Sequence, residues 1–139
     1  MLDALQVQDL KAKLRGQVIE PKDANYEAAR SLYNGMIDKR PLLIAQCANA
    51  ADVMTAVNFG RENSLPITIR CGGHNGPGLG IVNDGLVIDL SMMKGVRVDP
   101  VTRTARVDAA ARRATSITPP MPSGWPYLRA SFRPLASRA

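Results

Sequence analysis

The sequence has 139 residues, 45% of them hydrophobic but only 4% aromatic, with 18 Lys and Arg against 12 Asp and Glu. That length suits one domain or part of one, and it is enough to bury a core if the whole chain takes part. No apolar run approaches the ~20 residues of a membrane span, and the opening "MLDALQVQDLKAKLRG" has early acids and no apolar stretch of the kind a secretory signal needs, so a cytoplasmic protein is expected.

Leu5, Val7, Leu10 and Leu14 approximate a helical stripe, which predicts a short amphipathic helix over residues 5–17. Pro21 and Asp23 open a second helix running through Ala28, with Tyr26, Ala29 and Leu32 on one face. "PLLIAQCAN" is a continuous apolar run of strand length. Asn49 then suits an N-cap for a helix over Ala50–Glu62, with Asp52 in the first turn where a carboxylate complements the dipole. Val53, Ala56, Val57 and Phe59 or Gly60 supply its buried face, and Pro66 forbids continuation. "PITIR" predicts a short strand leading straight into a glycine-rich loop, and "DGLVIDLS" predicts another over Gly85–Ser91. In "GVRVDPVTRTARVDA", Val96 and Val98 alternate with polar residues, Asp99 and Pro100 make a turn, and Ala105 and Val107 return, which is a hairpin pattern. The order of elements gives an α+β fold with mixed strands.

Cysteine and histidine are scarce. With only Cys47, Cys71 and His74, no zinc spacing exists and no metal site is expected. Nothing requires a disulfide, and Cys47, inside "LLIAQC", reads as a small buried hydrophobe.

The loop "IRCGGHNGPGLG", Ile69 to Gly80, holds five of the 11 glycines and the only histidine. Glycine is used where φ must be positive or where something must approach the main chain closely. Successive N–H groups without side chains can form a concave anion site. A Rossmann reading fails on spacing: the loop has G-x-G-x-G, Pro77 removes a donor, and no helix pattern follows. A P-loop reading fails because no G-K-[ST] is present. A loop cradling a diphosphate between two strands stays open. His74, between stretches of glycine-rich backbone, would let a flat ligand come close to an imidazole that can serve as a nucleophile or a covalent attachment point; a structural histidine in a turn is the plainer reading.

"PITIRCGGHN" followed by "DGLVIDLSMMKGVRVDPVTRTARVDA" closely resembles the FAD-linked oxidases with a vanillyl-alcohol-oxidase-type (PCMH) flavin domain, and most of all the berberine-bridge-enzyme-like branch. That branch has the pattern R-x-G-G-H-[ND], then G-[LV]-[VI]-[IL]-D-[LM]-S, then V-x-V-D-x-x-x-x-x-A-x-V, and the resemblance covers roughly residues 15–110. It implies that His74 bonds covalently to the isoalloxazine ring of FAD. It also implies that Arg70, Cys71, Gly72, Gly73, Asn75, Gly76, Gly78, Leu79 and Gly80 wrap the pyrophosphate, with Asp89 and Ser91 closing the strand beside it. Family members use the flavin to take a hydride from an alcohol, sugar or amine carbon and pass electrons to oxygen, so a small-molecule substrate is implied and neither nucleic acid nor membrane is an expected partner. The expected fold is then the N-terminal lobe of such a domain, residues 1–110, incomplete and followed by a disordered tail, residues 111–139.

The tail is where the resemblance breaks. Residues 1–108 carry 13 Lys and Arg with all 12 acids, whereas residues 109–139 carry five arginines and no acid, so the net charge of +6 belongs almost wholly to the tail. An Arg- and Pro-rich arm on a non-enzymatic basic binding module is the competing reading, but the aromatic interleaving of nucleic-acid platforms is missing, since Trp125, Tyr127 and Phe132 are isolated among prolines. The family continues after "ARVDA" roughly as "GGxxxGDVDHATHAFGLATPSGIxSTTGVGG". If the last base of each codon is read with the first two of the next, Arg113 to Ala139 can be written "GDVDHATHAFGLAVPPGIISTTGVAG". Two bases of each shifted codon are set by the residues present, so agreement over this length implies a frameshift near codons 110–113. The missing part would carry the substrate domain and the catalytic base, so no catalytic residue is assigned.

Overall fold

The computed structural model describes residues 2–99, 101, 102 and 104–111. Helix α1 (Ala4–Lys13) begins at Asp3, which accepts from the Leu5 N–H and forms a capping box with Gln6. It ends four residues before the expected limit. Leu14 is already extended and the chain enters a strand, β1 (Gln17–Ile19), that no sequence pattern announces. Three residues are too few to show an alternation. The constraint is instead tertiary: a Cβ on Gly16 would lie 1.7 Å from the Gln46 carbonyl oxygen, so only glycine lets the chain pass β2 (Leu43–Gln46) this closely.

The second helix is also shorter than expected. Pro21 and Asp23 form a turn, with Asp23 accepting from the Glu20 N–H at 2.8 Å, and α2 spans only Tyr26–Arg30. The predicted face nevertheless holds. Tyr26 is buried with its hydroxyl donating to the Pro41 carbonyl at 2.7 Å, and Ala29 and Leu32 pack in the same cluster. Helix α3 (Ala50–Glu62) matches its expected bounds, with the Asn49 side chain accepting from the Asp52 N–H. Ala56, Phe59 and Gly60 face inward as expected, but Val57 is 38% exposed and Asp52 is buried in its place.

Strands β3 (Ile67–Arg70) and β4 (Leu86–Asp89) complete a four-stranded sheet of order β1-β2-β4-β3. β1 runs antiparallel to β2, whereas β2, β4 and β3 are parallel. β4 is central and buried at every residue, which is why "LVID" reads as an unbroken apolar run until its last position. One face of the sheet (Val18, Leu43, Ala45, Leu86, Ile88) packs on Val7, Leu10 and Leu14 from α1 and its C-cap and on Ala56 and Phe59 of α3. The other face (Ile19, Ile44, Val87) packs on Tyr26 and Ile81. The expected mixed α+β architecture is therefore present.

The predicted hairpin forms from β5 (Val96–Asp99) and β6 (Thr104–Val107), a separate antiparallel ribbon. Asp99 ties the turn by accepting from the Val101 and Thr102 N–H groups; Pro100 lies outside the described residues. By register Val96, Val98, Ala105 and Val107 share one face, yet all four residues of β6 are exposed. The expected disordered tail, residues 111–139, lies outside the described residues from Arg112 onward. Among the described residues no helix is long and apolar enough to cross a membrane.

Both cysteines are free. Cys47 is fully buried, and burial, with the Asp52 and Asp89 charges adding to it, pushes its thiol up to about 11. Cys71 is half-buried, 3.2 Å from the Ala109 carbonyl oxygen. A thiol reagent at neutral pH should therefore label Cys71 in the folded chain and reach Cys47 only in denaturant. Two fast equivalents without denaturant would show that the β2–α3 junction is open.

Candidate functional site

The loop after β3 leaves the sheet beside the carboxyl end of β4, so strand ends position it from below. Arg70, last in β3, lies opposite Asp89, last in β4. Their side chains form a buried ion pair, Arg70 Nη2 to Asp89 Oδ2 at 2.8 Å, with the side chains 8% and 2% exposed. Arg70 also donates to the carbonyls of Ala29 and Ser31 at the C-terminal end of α2, and the second Asp89 oxygen accepts from the Ser91 N–H at 2.8 Å. These three expected site residues thus form a clamp under the loop that joins two strands and a helix end. The Asp89 carboxylate is spent on partners within the chain.

Above the clamp, a cavity of about 280 Å³ is lined by Leu32, Ile69 and the loop residues Arg70 to Asn75, Leu79 and Gly80. Gly73 (φ +67°) and Gly78 (φ +72°) take the left-handed conformation that disfavours side chains. A Cβ on Gly78 would come 2.8 Å from Ile37 Cγ2, and one on Gly72 would lie 2.5 Å from His74 Nδ1. Gly76 has open space around it, so its lack of a side chain serves neither the backbone nor local packing. His74 is exposed, with its ring centroid 5.8 Å from that of Tyr33 at a tilt of 48°. Asn75 closes the far turn, its side chain accepting from the Leu79 N–H at 3.0 Å.

The hydrogen bonds of the loop are lopsided. The carbonyls of Gly73, Gly76 and Gly78 accept from Tyr33 N–H, Asn34 Nδ2 and Lys39 Nζ, at 3.2, 3.0 and 3.2 Å. No acceptor among the described residues takes the N–H groups of Gly72, Gly73, His74, Asn75 or Gly76. A run of N–H groups without an acceptor among the described residues, three of the five on glycines and one on the exposed His74 itself, is a fit for a diphosphate attached to a flat ring. Leu32, Tyr33, Asn34 and Lys39 carry no sequence signal for this role, because they meet the loop from about forty positions away.

Among known proteins, the FAD binding domain family matches residues 41–115. The chain belongs to this family of FAD-linked oxidoreductases. (R)-6-hydroxynicotine oxidase of Paenarthrobacter nicotinovorans is 36% identical over 94 residues, 68% of this chain and 20% of that protein. In structure, 6-hydroxy-D-nicotine oxidase of Arthrobacter nicotinovorans matches with a TM-score of 0.66 and 35% identity over 70% of this chain and 22% of that one. A berberine-bridge-enzyme-like protein of Physcomitrella patens matches with a TM-score of 0.63 and 26% identity over 73% of this chain and 22% of that one. The chain spans about a fifth of the length of the curated relatives it matches. In this FAD-binding fold the glycine loop, the clamp and the parallel β2–β4–β3 strands all fall within the matched residues.

Proposed function

We propose that this chain is the N-terminal lobe of an FAD-linked oxidase, residues 1–110, in which the N–H groups of Gly72 to Gly76 hold the pyrophosphate and His74 bonds to the flavin ring. The observation that carries the reading is that unpaired N–H run beside an exposed histidine. Bound FAD would supply the acceptor for a hydride from an alcohol, sugar or amine carbon, with electrons passed on to oxygen. This chain's residues do the holding: Cys71, Leu79 and Gly80 line the cavity, Gly78 and Asn75 shape its rim, and the Arg70–Asp89–Ser91 clamp fixes its base. The whole enzyme would act on a small molecule in the cytoplasm, with neither nucleic acid nor membrane as partner.

Residues 111–139 belong to the proposal as an out-of-frame segment. Two observations support this: the family match stops at residue 115, and residues Arg113 to Ala139 can be rewritten in a shifted frame, with a choice of synonymous codons, as the continuation that the family resemblance implies. The 139-residue chain would then be inactive alone and bind FAD weakly or not at all, because the rest of the flavin domain and the catalytic base lie beyond the shift. The test is the nucleotide sequence of the locus from codon 100 onward, with the purified chain assayed for flavin after acid precipitation. A second frame continuing into a long reading frame, and a colourless chain, are expected. No second frame would refute the shift, and stoichiometric acid-stable flavin on the 139-residue product would refute the inactive fragment.

A further inference from the structure

Tyr33 is 84% exposed and adds little to the core, yet it meets His74 twice. Its N–H donates to the Gly73 carbonyl at 3.2 Å. That carbonyl and the His74 N–H belong to one planar peptide unit and point in opposite directions, so Tyr33 fixes the plane through which the chain enters His74. The Tyr33 ring lies 5.8 Å from the imidazole at a tilt of 48°, within the range of an attractive aromatic pair. The imidazole also rests against Gly72. A Cβ there would lie 2.5 Å from His74 Nδ1 and 2.6 Å from Cε1, so this edge of the ring takes the space of a missing side chain. Gly72 lacks the left-handed φ of Gly73 and Gly78, so its own backbone does not call for glycine.

We propose that Tyr33 is a positioning residue for His74: it holds the imidazole in one orientation at the mouth of the cavity before any ligand arrives, and residue 72 is glycine so that the ring can take this seat. The inference rests on the cradle reading above, with His74 at the flavin ring. A histidine in an open turn samples several staggered rotamers. A group that must meet a reacting carbon gains from having its orientation set in advance. The peptide contact sets where the side chain starts, and the ring contact sets where it ends. Tyr33 acts through the imidazole and need not touch the ligand.

The chain has a single histidine, so its imidazole C–H signals can be read directly in NMR spectra of the full chain labelled with ¹⁵N. Without any ligand these signals should lie away from their position in the denatured chain and show cross-peaks to the Tyr33 ring protons. Tyr33→Leu, which keeps the N–H, should return them toward the denatured position, and Tyr33→Phe should restore them. Gly72→Ala should abolish the cross-peaks between the two rings. The amide signals of β2 and β4 should stay in place in all three variants. Histidine signals unchanged in Tyr33→Leu, or ring-to-ring cross-peaks that survive Gly72→Ala, overturn the proposal. Inorganic pyrophosphate tests the reading beneath it: in the wild type the amide signals of residues 72–76 should move on titration. Amides that ignore pyrophosphate overturn the cradle instead, and the ligand-free histidine signals still decide whether Tyr33 holds the ring. Should Tyr33→Leu fail to fold, Gly72→Ala carries the same comparison.

Discussion

Replacing Asp89 by Asn should lower the unfolding free energy by about 3 kcal/mol or more, the usual cost of breaking a buried ion pair by removing one partner. The Arg70 guanidinium is 8% exposed at its side chain and would stay charged with no counter-charge, facing only the neutral Asn amide and the carbonyls of Ala29 and Ser31. The Asn side chain has nearly the same volume, so packing is not the cause. In urea, with a slope of about 1.5 kcal/mol/M for a small domain, the midpoint should fall by roughly 2 M. The double change Arg70→Met with Asp89→Leu should recover part of that loss, since no uncompensated charge remains. A single-variant loss under about 1 kcal/mol would mean that water reaches the clamp and that the pair is an exposed one.

Asp52 should come close behind. Its two oxygens accept from the backbone N–H groups of Arg15 (3.1 Å), Gly16 (2.9 Å) and Ala48 (2.9 Å), and the residue is 2% exposed. It therefore ties the α1–β1 turn and the end of β2 to the start of α3. Asp52→Ala orphans three donors, and at about 1–3 kcal/mol for each one left buried and unsatisfied, a loss of roughly 3 kcal/mol is expected. Burial by itself raises this carboxyl, but the three N–H bonds and the Arg15 charge outweigh it and hold the pKa below the ordinary value of 3.8. A depressed folded pKa makes the contribution fully present above the unfolded value and lost as pH falls through the folded one. Chemical denaturation at several pH values should show the wild type weakening in acid and Asp52→Asn, which has no charge to lose, weakening less. Parallel profiles would remove Asp52 from the account of acid stability.

What could be read from the sequence divides by the range of the forces involved. α3 was legible from end to end because its signals are local: Asn49 caps it, and Pro66 with Asn63 and Ser64 stops it. β1 was not, because its existence depends on a partner 29 residues away and on Gly16 slipping past Gln46. α2 was overextended because Pro21 and Asp23 serve a turn as well as they serve a helix start. The glycine loop announced itself through composition, yet only coordinates separate Gly73 and Gly78, which satisfy backbone geometry, from Gly76, which does not. Likewise the family pattern points to Arg70 and Asp89 as site residues, but that they face each other beneath the loop follows from strand register. Asp52 looked like a dipole partner for one helix, since nothing in "NAADV" reveals the turn of α1 above it.

The β5–β6 ribbon bears on the lifetime of such a chain inside a cell. It is pinned at its base, where the Asp108 N–H donates to the Gly95 carbonyl and the Gly95 N–H donates to the Asp108 carboxylate, and Val96 and Val98 on its apolar face are only partly buried while Val107 is exposed. Two strands alone hold together only marginally, so the ribbon opens locally at little free-energy cost while the sheet below stays folded. An opened strand with Arg97 or Arg106 at its centre is the extended form that a protease grips, and a first cut there would leave β1 to β4 intact. Among the described residues, cleavage would begin at the hairpin, and the glycine loop would outlast it.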